Sequence, residues 1–177
     1  MSKNILILSG STRKGGNSDL LCDQFQKGAL EGGHAAEKIY ISDLNIAYCT
    51  GCYACEKSGV CVIKDDMTAV LDKMQAADVI VLATPVYFYT MSAQLKTVID
   101  RTVSRYMAIS NKEFYFIATA AEKKSMIERT IDGLRGFTDC LPGAVVKGVV
   151  YGEGAWKIGE IKGTKAMQEA FEMGKNA

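Results

Sequence analysis

The sequence predicts an α/β fold: a three-layer α/β/α sandwich around a five-stranded parallel sheet. Five short stretches are largely apolar, and the sharpest of them are apolar on both faces, as in a strand covered by helices above and below. Apolar residues at helical spacing follow each stretch, and the alternation runs through all 177 residues without a repeat, linker or low-complexity tract. Right-handed crossovers then place the strands parallel and the helices on both sides. The length fits one domain, residues 1–177.

Asn4-Ile5-Leu6-Ile7-Leu8 is the first strand. Residues 18–30 form a helix with Leu21, Phe25, Ala29 and Leu30 at helical spacing. Asn17 or Ser18 is placed to cap it, Asp19 suits its first turn, and Gly32-Gly33 ends it. Lys38-Ile39-Tyr40-Ile41 is the second strand and leads into a cysteine-bearing loop. Asp65-Asp66 opens a helix whose Met67, Val70, Leu71 and Met74 fall on one face. Asp78-Val79-Ile80-Val81-Leu82-Ala83 is the third strand, ending at Thr84-Pro85, and Met91, Leu95, Val98 and Ile99 mark the helix after it. Residues 114–118 make the fourth strand, Ile127, Ile131 and Leu134 a helix, and residues 144–151 a fifth strand interrupted by Lys147 and Gly148. A last helix starts near Thr164, with Met167, Ala170 and Phe171 inward. Five strands in this length fit the doubly wound order 2-1-3-4-5 better than the six-stranded dinucleotide type, and either puts a ligand at the carboxyl ends of the strands.

Composition removes several functions. Hydrophobic residues make up 48% and charged residues 23%, a globular balance, and the net charge is only +1. With no basic run, nucleic acid and anionic membrane surfaces have nothing to grip. No apolar stretch is long enough to span a bilayer, and the first residues lack the pattern of a signal peptide, so a soluble, cytoplasmic protein is expected. The single histidine, His34, leaves no material for a catalytic triad.

The first strand runs into Ser9-Gly10-Ser11-Thr12-Arg13-Lys14-Gly15-Gly16-Asn17-Ser18. A strand-to-helix connection is commonly about 2–6 residues, so this one is long. Its glycines, hydroxyls and Arg13, set against a helix N-terminus, form a cradle for a phosphate. The triphosphate loop fails because Gly16-Asn17 stands where Lys-Ser/Thr is needed, and the dinucleotide motif fails because Thr12 replaces its second glycine. Paired acidic residues, which a phospho-receiver would carry here, are absent. A terminal monophosphate fits best. The loop after the third strand, Thr84-Pro85-Val86-Tyr87-Phe88-Tyr89-Thr90-Met91-Ser92, places three aromatics where a ligand lies, with backbone N–H groups within reach of a heterocycle's carbonyls and nitrogens. Together the two loops point to flavin mononucleotide, FMN.

With Ser92-Ala93-Gln94-Leu95-Lys96-Thr97-Val98-Ile99-Asp100-Arg101, these segments resemble the NADPH-dependent FMN reductase branch of the flavodoxin-like superfamily, over nearly the whole chain. The resemblance implies a flavodoxin-like fold, bound FMN, NAD(P)H as substrate, a small acceptor such as a quinone or flavin, and a homodimer or homotetramer. Carried over by position, Ser9, Ser11, Arg13, Asn17 and Ser18 belong to the phosphate loop. Pro85, Val86, Tyr87 and Phe88 line the ribityl chain and ring, and Thr119-Ala120-Ala121 closes the far side. Family members often carry a small residue where this chain has Tyr89.

Four of the six cysteines fall in one short segment, Cys49-x2-Cys52-x2-Cys55-x5-Cys61. The first three match the spacing of ferredoxin ligands; the fourth lies farther off, and Val62 replaces the proline that follows it there. The pattern, with Ile63-Lys64-Asp65-Asp66-Met67, is similar to that of iron–sulfur flavoproteins, whose cluster-free relatives keep a similar Cys-x-Gly-Cys loop. A [4Fe–4S] cluster, free thiols, a thiol–disulfide pair and zinc all stay open. Two functions follow: an FMN-dependent NAD(P)H oxidoreductase, or an electron carrier with FMN and a cluster fed by ferredoxin. Cys22 is expected to be a small buried hydrophobe, Cys140 has no evident partner, and Trp156 packs either in the core or at a subunit contact.

Overall fold

A computed structural model describes residues 1–177. Five strands, β1 (Asn4–Ser9), β2 (Ala35–Tyr40), β3 (Val79–Pro85), β4 (Glu113–Thr119) and β5 (Val145–Gly152), form one sheet in the order β2-β1-β3-β4-β5. Every neighbouring pair is parallel. This is the flavodoxin-like order expected from the sequence. The helices are α1 (Asn17–Glu31), α2 (Cys55–Ser58), α3 (Met67–Ala76), α4 (Ala93–Arg101), α5 (Lys124–Asp139) and α6 (Lys165–Lys175).

The period-two geometry of a strand splits each apolar run between two cores. Leu6, Leu8, Ile80, Leu82, Phe114 and Phe116 face α3, α4 and α5, while Ile5, Ile7, Val79, Val81, Tyr115 and Ile117 face α1 and α6. Lys147, expected to interrupt the last strand, is the extra residue of a bulge: Phe114 pairs with Val146, and Tyr115 already pairs with Gly148. The inward face of α6 also differs from expectation. Ala166, Ala170 and Gly174 are buried, whereas Met167 and Phe171 are half-buried at its flanks. The cause is the tight approach of α1: a Cβ at Gly28 would lie 2.0 Å from the Phe171 carbonyl oxygen, and one at Gly174 would lie 2.0 Å from that of Phe25. No helix is long and apolar enough to cross a membrane.

One buried ion pair fastens the long segment between β2 and α3 to the body. Arg101, at the end of α4, grips Asp65 through both guanidinium termini at 2.7 and 2.9 Å and donates to the Ala47 carbonyl at 2.6 Å. Both side chains are almost fully buried, at 1% and 4% exposed. Asp65 also accepts from the N–H groups of Ala47 and Met67. Burial works to raise the Asp65 pKa, but the Arg101 guanidinium and those two amides hold it below the ordinary carboxylate range. A carboxylate with a depressed folded pKa contributes stability that is complete above its unfolded value, about 3.9, and is lost as the pH falls through the folded value. Asp65→Asn leaves the buried guanidinium unneutralised, and we expect a loss of about 3–5 kcal/mol at neutral pH. Urea denaturation at several pH values should show the gap between variant and wild type closing on acidification; a gap independent of pH would refute the assignment.

Candidate functional site

The loops leaving β1, β3, β4 and β5 converge at the carboxyl edge of the sheet. Gly10 makes the approach of the first two possible: a Cβ there would lie 2.8 Å from Ser92 Oγ, 2.9 Å from Leu95 Cβ and 3.0 Å from the Ala83 carbonyl oxygen. Beyond it, Ser11 Oγ accepts the Arg13 N–H at 3.1 Å, and Gly15 turns at φ +72°. Gly15 N–H then donates to Asp19 at 2.7 Å. Asp19 is buried; the Tyr40 hydroxyl donates to the same oxygen at 3.1 Å, and Lys38 binds the other at 2.8 Å. Burial of Lys38 favours its neutral form, but hydrogen bonds to Asp19, Asp23 and Tyr40 outweigh that and raise its pKa. The loop after β1 is thus anchored from β2 through a neutralised carboxylate.

Helix α1 begins without a side-chain cap; its N-cap is Gly16. Asn17, expected as the cap, turns instead to the loop after β5. It donates to the Lys157 carbonyl at 2.9 Å and accepts the Gly159 N–H at 3.0 Å. The backbone N–H groups of Asn17 and Ser18 consequently find no acceptor within the chain. Two unpaired amides, a helix N-terminus and an Arg13 without an ion-pair partner make an anion cradle.

The hollow these loops enclose, about 230 Å³ and open to solvent, is lined by Ser11, Arg13, Asn17 and Ser18 from the first loop and Pro85, Val86 and Tyr87 from the third strand's loop. Thr119 and Ala120 complete the expected set. Two expected residues stand apart. Ser9 is wholly buried in β1, its hydroxyl without a partner, and Phe88 is 100% exposed and outside the lining. The reason for the second lies in the backbone. Tyr87 and Thr90 exchange both N–H···O bonds, at 2.9 and 3.0 Å, which closes a two-residue turn with Phe88 at φ +48° and Tyr89 at φ +64°. Such turns favour Asn-Gly, so two aromatics here are strained. Tyr89 gains some compensation from Arg129, whose guanidinium lies 5.1 Å from its ring centroid; Phe88 projects into water. Two amides expected to face a heterocycle are engaged elsewhere, since Val86 N–H donates to Thr119 and Tyr87 N–H to Thr90.

Sequence reasoning missed the fourth wall. Ala155, Trp156 and Ile158, after β5, also line the hollow, and Trp156 is 75% exposed rather than packed in the core. Glu160 shapes this wall by accepting the N–H groups of Trp156 and Lys157 at 2.7 Å each. The signal was available: a tryptophan in a glycine-rich stretch just past the carboxyl end of a strand.

The cysteine loop forms a second hollow, about 310 Å³, lined by Cys49, Cys52, Cys55 and Cys61 together with Arg101, Ser104 and Asp100. No three of the thiols are gathered about one point as ligands of a single metal ion. All six cysteines are free. A cube of iron and sulfide, whose ligands stand around a body rather than about a point, suits thiols that line a shared hollow. Hydrogen bonds from the Ala54 amide and then the Thr50 side chain lower the pKa of Cys52, while burial raises that of Cys22, which lies in the core. Cys140 is exposed.

Known proteins fit this geometry. An iron-sulfur flavoprotein of Archaeoglobus fulgidus is 42% identical over 92 residues, covering 52% of this chain and 42% of the relative. One from Methanosarcina thermophila is 40% identical over 108 residues, 59% of this chain and 56% of the relative. The chain spans about half the length of the curated relatives it matches. The solved Trp repressor binding protein from Bacillus subtilis superposes with a TM-score of 0.72 at 26% identity, covering 97% of this chain and 99% of that one. The family model of NADPH-dependent FMN reductase matches residues 3–157, which contain the lining of both hollows except Ile158, and the chain belongs to that family.

Proposed function

We propose that residues 1–177 act as one FMN-binding domain and as an FMN-dependent NAD(P)H oxidoreductase, delivering reducing equivalents to a small acceptor such as a quinone or another flavin. The observation that carries it is the joining of an anion cradle and an aromatic-edged cleft in one open hollow. Asn17 and Ser18 amides, Ser11 and Arg13 would hold the phosphate; Pro85, Val86, Tyr87, Thr119, Ala120 and Trp156 would border the ribityl chain and ring. FMN, when bound, supplies the hydride chemistry. The protein's part is to orient and enclose: no carboxylate or imidazole lines the hollow. Arg13 is its one cation and complements a phosphate dianion. Exposed Phe88, Trp156 and Ile158 lie on or beside the same loops, in keeping with a homodimer or homotetramer closing over the site.

A second function is favoured by the four thiols on one hollow: an electron carrier in which Cys49, Cys52, Cys55 and Cys61 hold a [4Fe–4S] cluster and ferredoxin is the donor.

Four measurements test these proposals. In fluorescence titrations FMN should bind far more tightly than riboflavin. Arg13→Ala should weaken FMN about tenfold, the loss of a charge-assisted hydrogen bond, and leave riboflavin unchanged. Equal affinity for the two flavins would place the phosphate elsewhere, and FMN-loaded protein that oxidises neither NADH nor NADPH with any acceptor would refute the activity. Phe88→Asn, which suits a positive φ, should raise stability by about 1 kcal/mol in thermal melts and leave FMN affinity within about twofold. A large loss of affinity would return Phe88 to the site. Anaerobically purified protein should carry iron and acid-labile sulfide that Cys52→Ser removes while FMN stays; iron-free protein would end the carrier reading.

A further inference from the structure

The thiol hollow contains an unexplained pair of donors. Four side-chain polar atoms in the molecule are buried without a partner, and two of them, Arg101 Nε and Ser104 Oγ, belong to residues lining this hollow. Arg101 is 2% exposed. Its terminal nitrogens are occupied: one by Ala47 and Asp65 at 2.6 and 2.7 Å, the other by Asp65 at 2.9 Å with a longer 3.5 Å contact to the Ile63 carbonyl. Only the Nε–H remains, and the Cys61 thiol neighbours the guanidinium. Ser104 ends the 3-10 turn Thr102–Ser104 that follows α4, and its carbonyl lies beside Gly59 at the end of α2. One chain segment thus supplies both donors. The only carboxylate on the wall, Asp100, is paired with Lys96 on the same helix.

Buried donors are ordinarily satisfied, and an unsatisfied pair calls for an acceptor. Beside four thiols and a buried cation, the acceptor that suits is sulfur bearing negative charge. We propose that Arg101 Nε–H and Ser104 Oγ–H donate hydrogen bonds to the sulfur atoms of an iron–sulfur cluster in this hollow and hold its reduction potential up. The proposal rests on the electron-carrier reading. Reduction adds negative charge to the sulfurs, so each donor stabilises the reduced state more than the oxidised one; removing a donor lowers the potential.

The test uses the full chain, loaded anaerobically with ferrous iron and sulfide, in a redox titration followed by electron paramagnetic resonance. Ser104→Ala deletes one hydroxyl and nothing else. Arg101→Lys keeps a cation opposite Asp65 but has no Nε donor. Ser104→Ala should retain the wild-type iron and sulfide content, and each variant that loads a cluster should favour the oxidised state about tenfold more, about 59 mV for a one-electron couple. Ser104→Thr, which keeps the hydroxyl, should restore the wild-type potential. Unchanged potentials at full iron loading would overturn the proposal and leave the carrier reading intact. If Arg101→Lys loses iron, Ser104→Ala decides alone. Wild-type protein that assembles no cluster would overturn the carrier reading and this proposal with it.

Discussion

Burial of one parallel sheet on both faces governs the rest of the molecule. Parallel strands need crossover helices, the helices must cover both faces, and every β-to-α connection then emerges at the same edge. Here that edge collects the turns after β1, β3, β4 and β5, which are the four walls of the larger hollow. Residues 11, 86, 120 and 156 owe their proximity to the sheet order β2-β1-β3-β4-β5 and to nothing in their own chemistry. The backbone adds its part where α1 starts with glycine and Asn17 is drawn away to the β5 loop, because amides left unpaired at that helix end are available to an anion.

The second hollow depends on a different constraint. The segment between β2 and α3 has only a 3-10 turn, Ile41–Asp43, and one short helix, α2, and lacks strands that could fix it. Arg101 takes over that role by binding the carbonyl of Ala47 before the cysteines and the carboxylate of Asp65 after them. A guanidinium can do this because its planar fork meets both oxygens of one carboxylate and still has further donors to spare; an ammonium has no such geometry. Closing the loop at its base lets four thiols face a common space while the tip, with Cys52 and Tyr53, stays exposed.

Much of this was legible in the sequence because burial writes a strong pattern. Ile5 to Leu8 and Val79 to Ala83 are apolar at every position, so their assignment as two-sided strands needed no tertiary information. The loop after β1 was equally plain as a candidate, since glycines and hydroxyls between a buried strand and a helix have few other uses, and its residues do line the hollow. What the sequence withheld depends on distant partners. Asn17 has the chemistry of a cap, and only the position of residues 157–161 diverts it. Phe88 looks like part of a ligand shelf, but the bonds between Tyr87 and Thr90 rotate it outward. The inward face of α6 is made of alanine and glycine because α1 comes too close for larger side chains, a distance no periodicity contains.

The Phe88-Tyr89 turn shows where stability and function pull apart. A left-handed conformation costs a non-glycine residue about 1–2 kcal/mol, and here two bulky residues adopt it in succession. Packing compensates Tyr89 in part, through Arg129, but Phe88 is fully exposed and receives no compensation from within the chain. Local propensity would put asparagine and glycine at these positions. Strain held at the lip of a ligand hollow, with an aromatic ring directed outward, is intelligible when the ring's contacts lie outside the folded monomer, on a substrate, an acceptor or a second subunit. The same argument covers Trp156, whose backbone is fixed by Glu160 while its indole stays exposed on the opposite wall. Both rings stand on backbone fixed by hydrogen bonds and are left uncovered at the rim of the hollow.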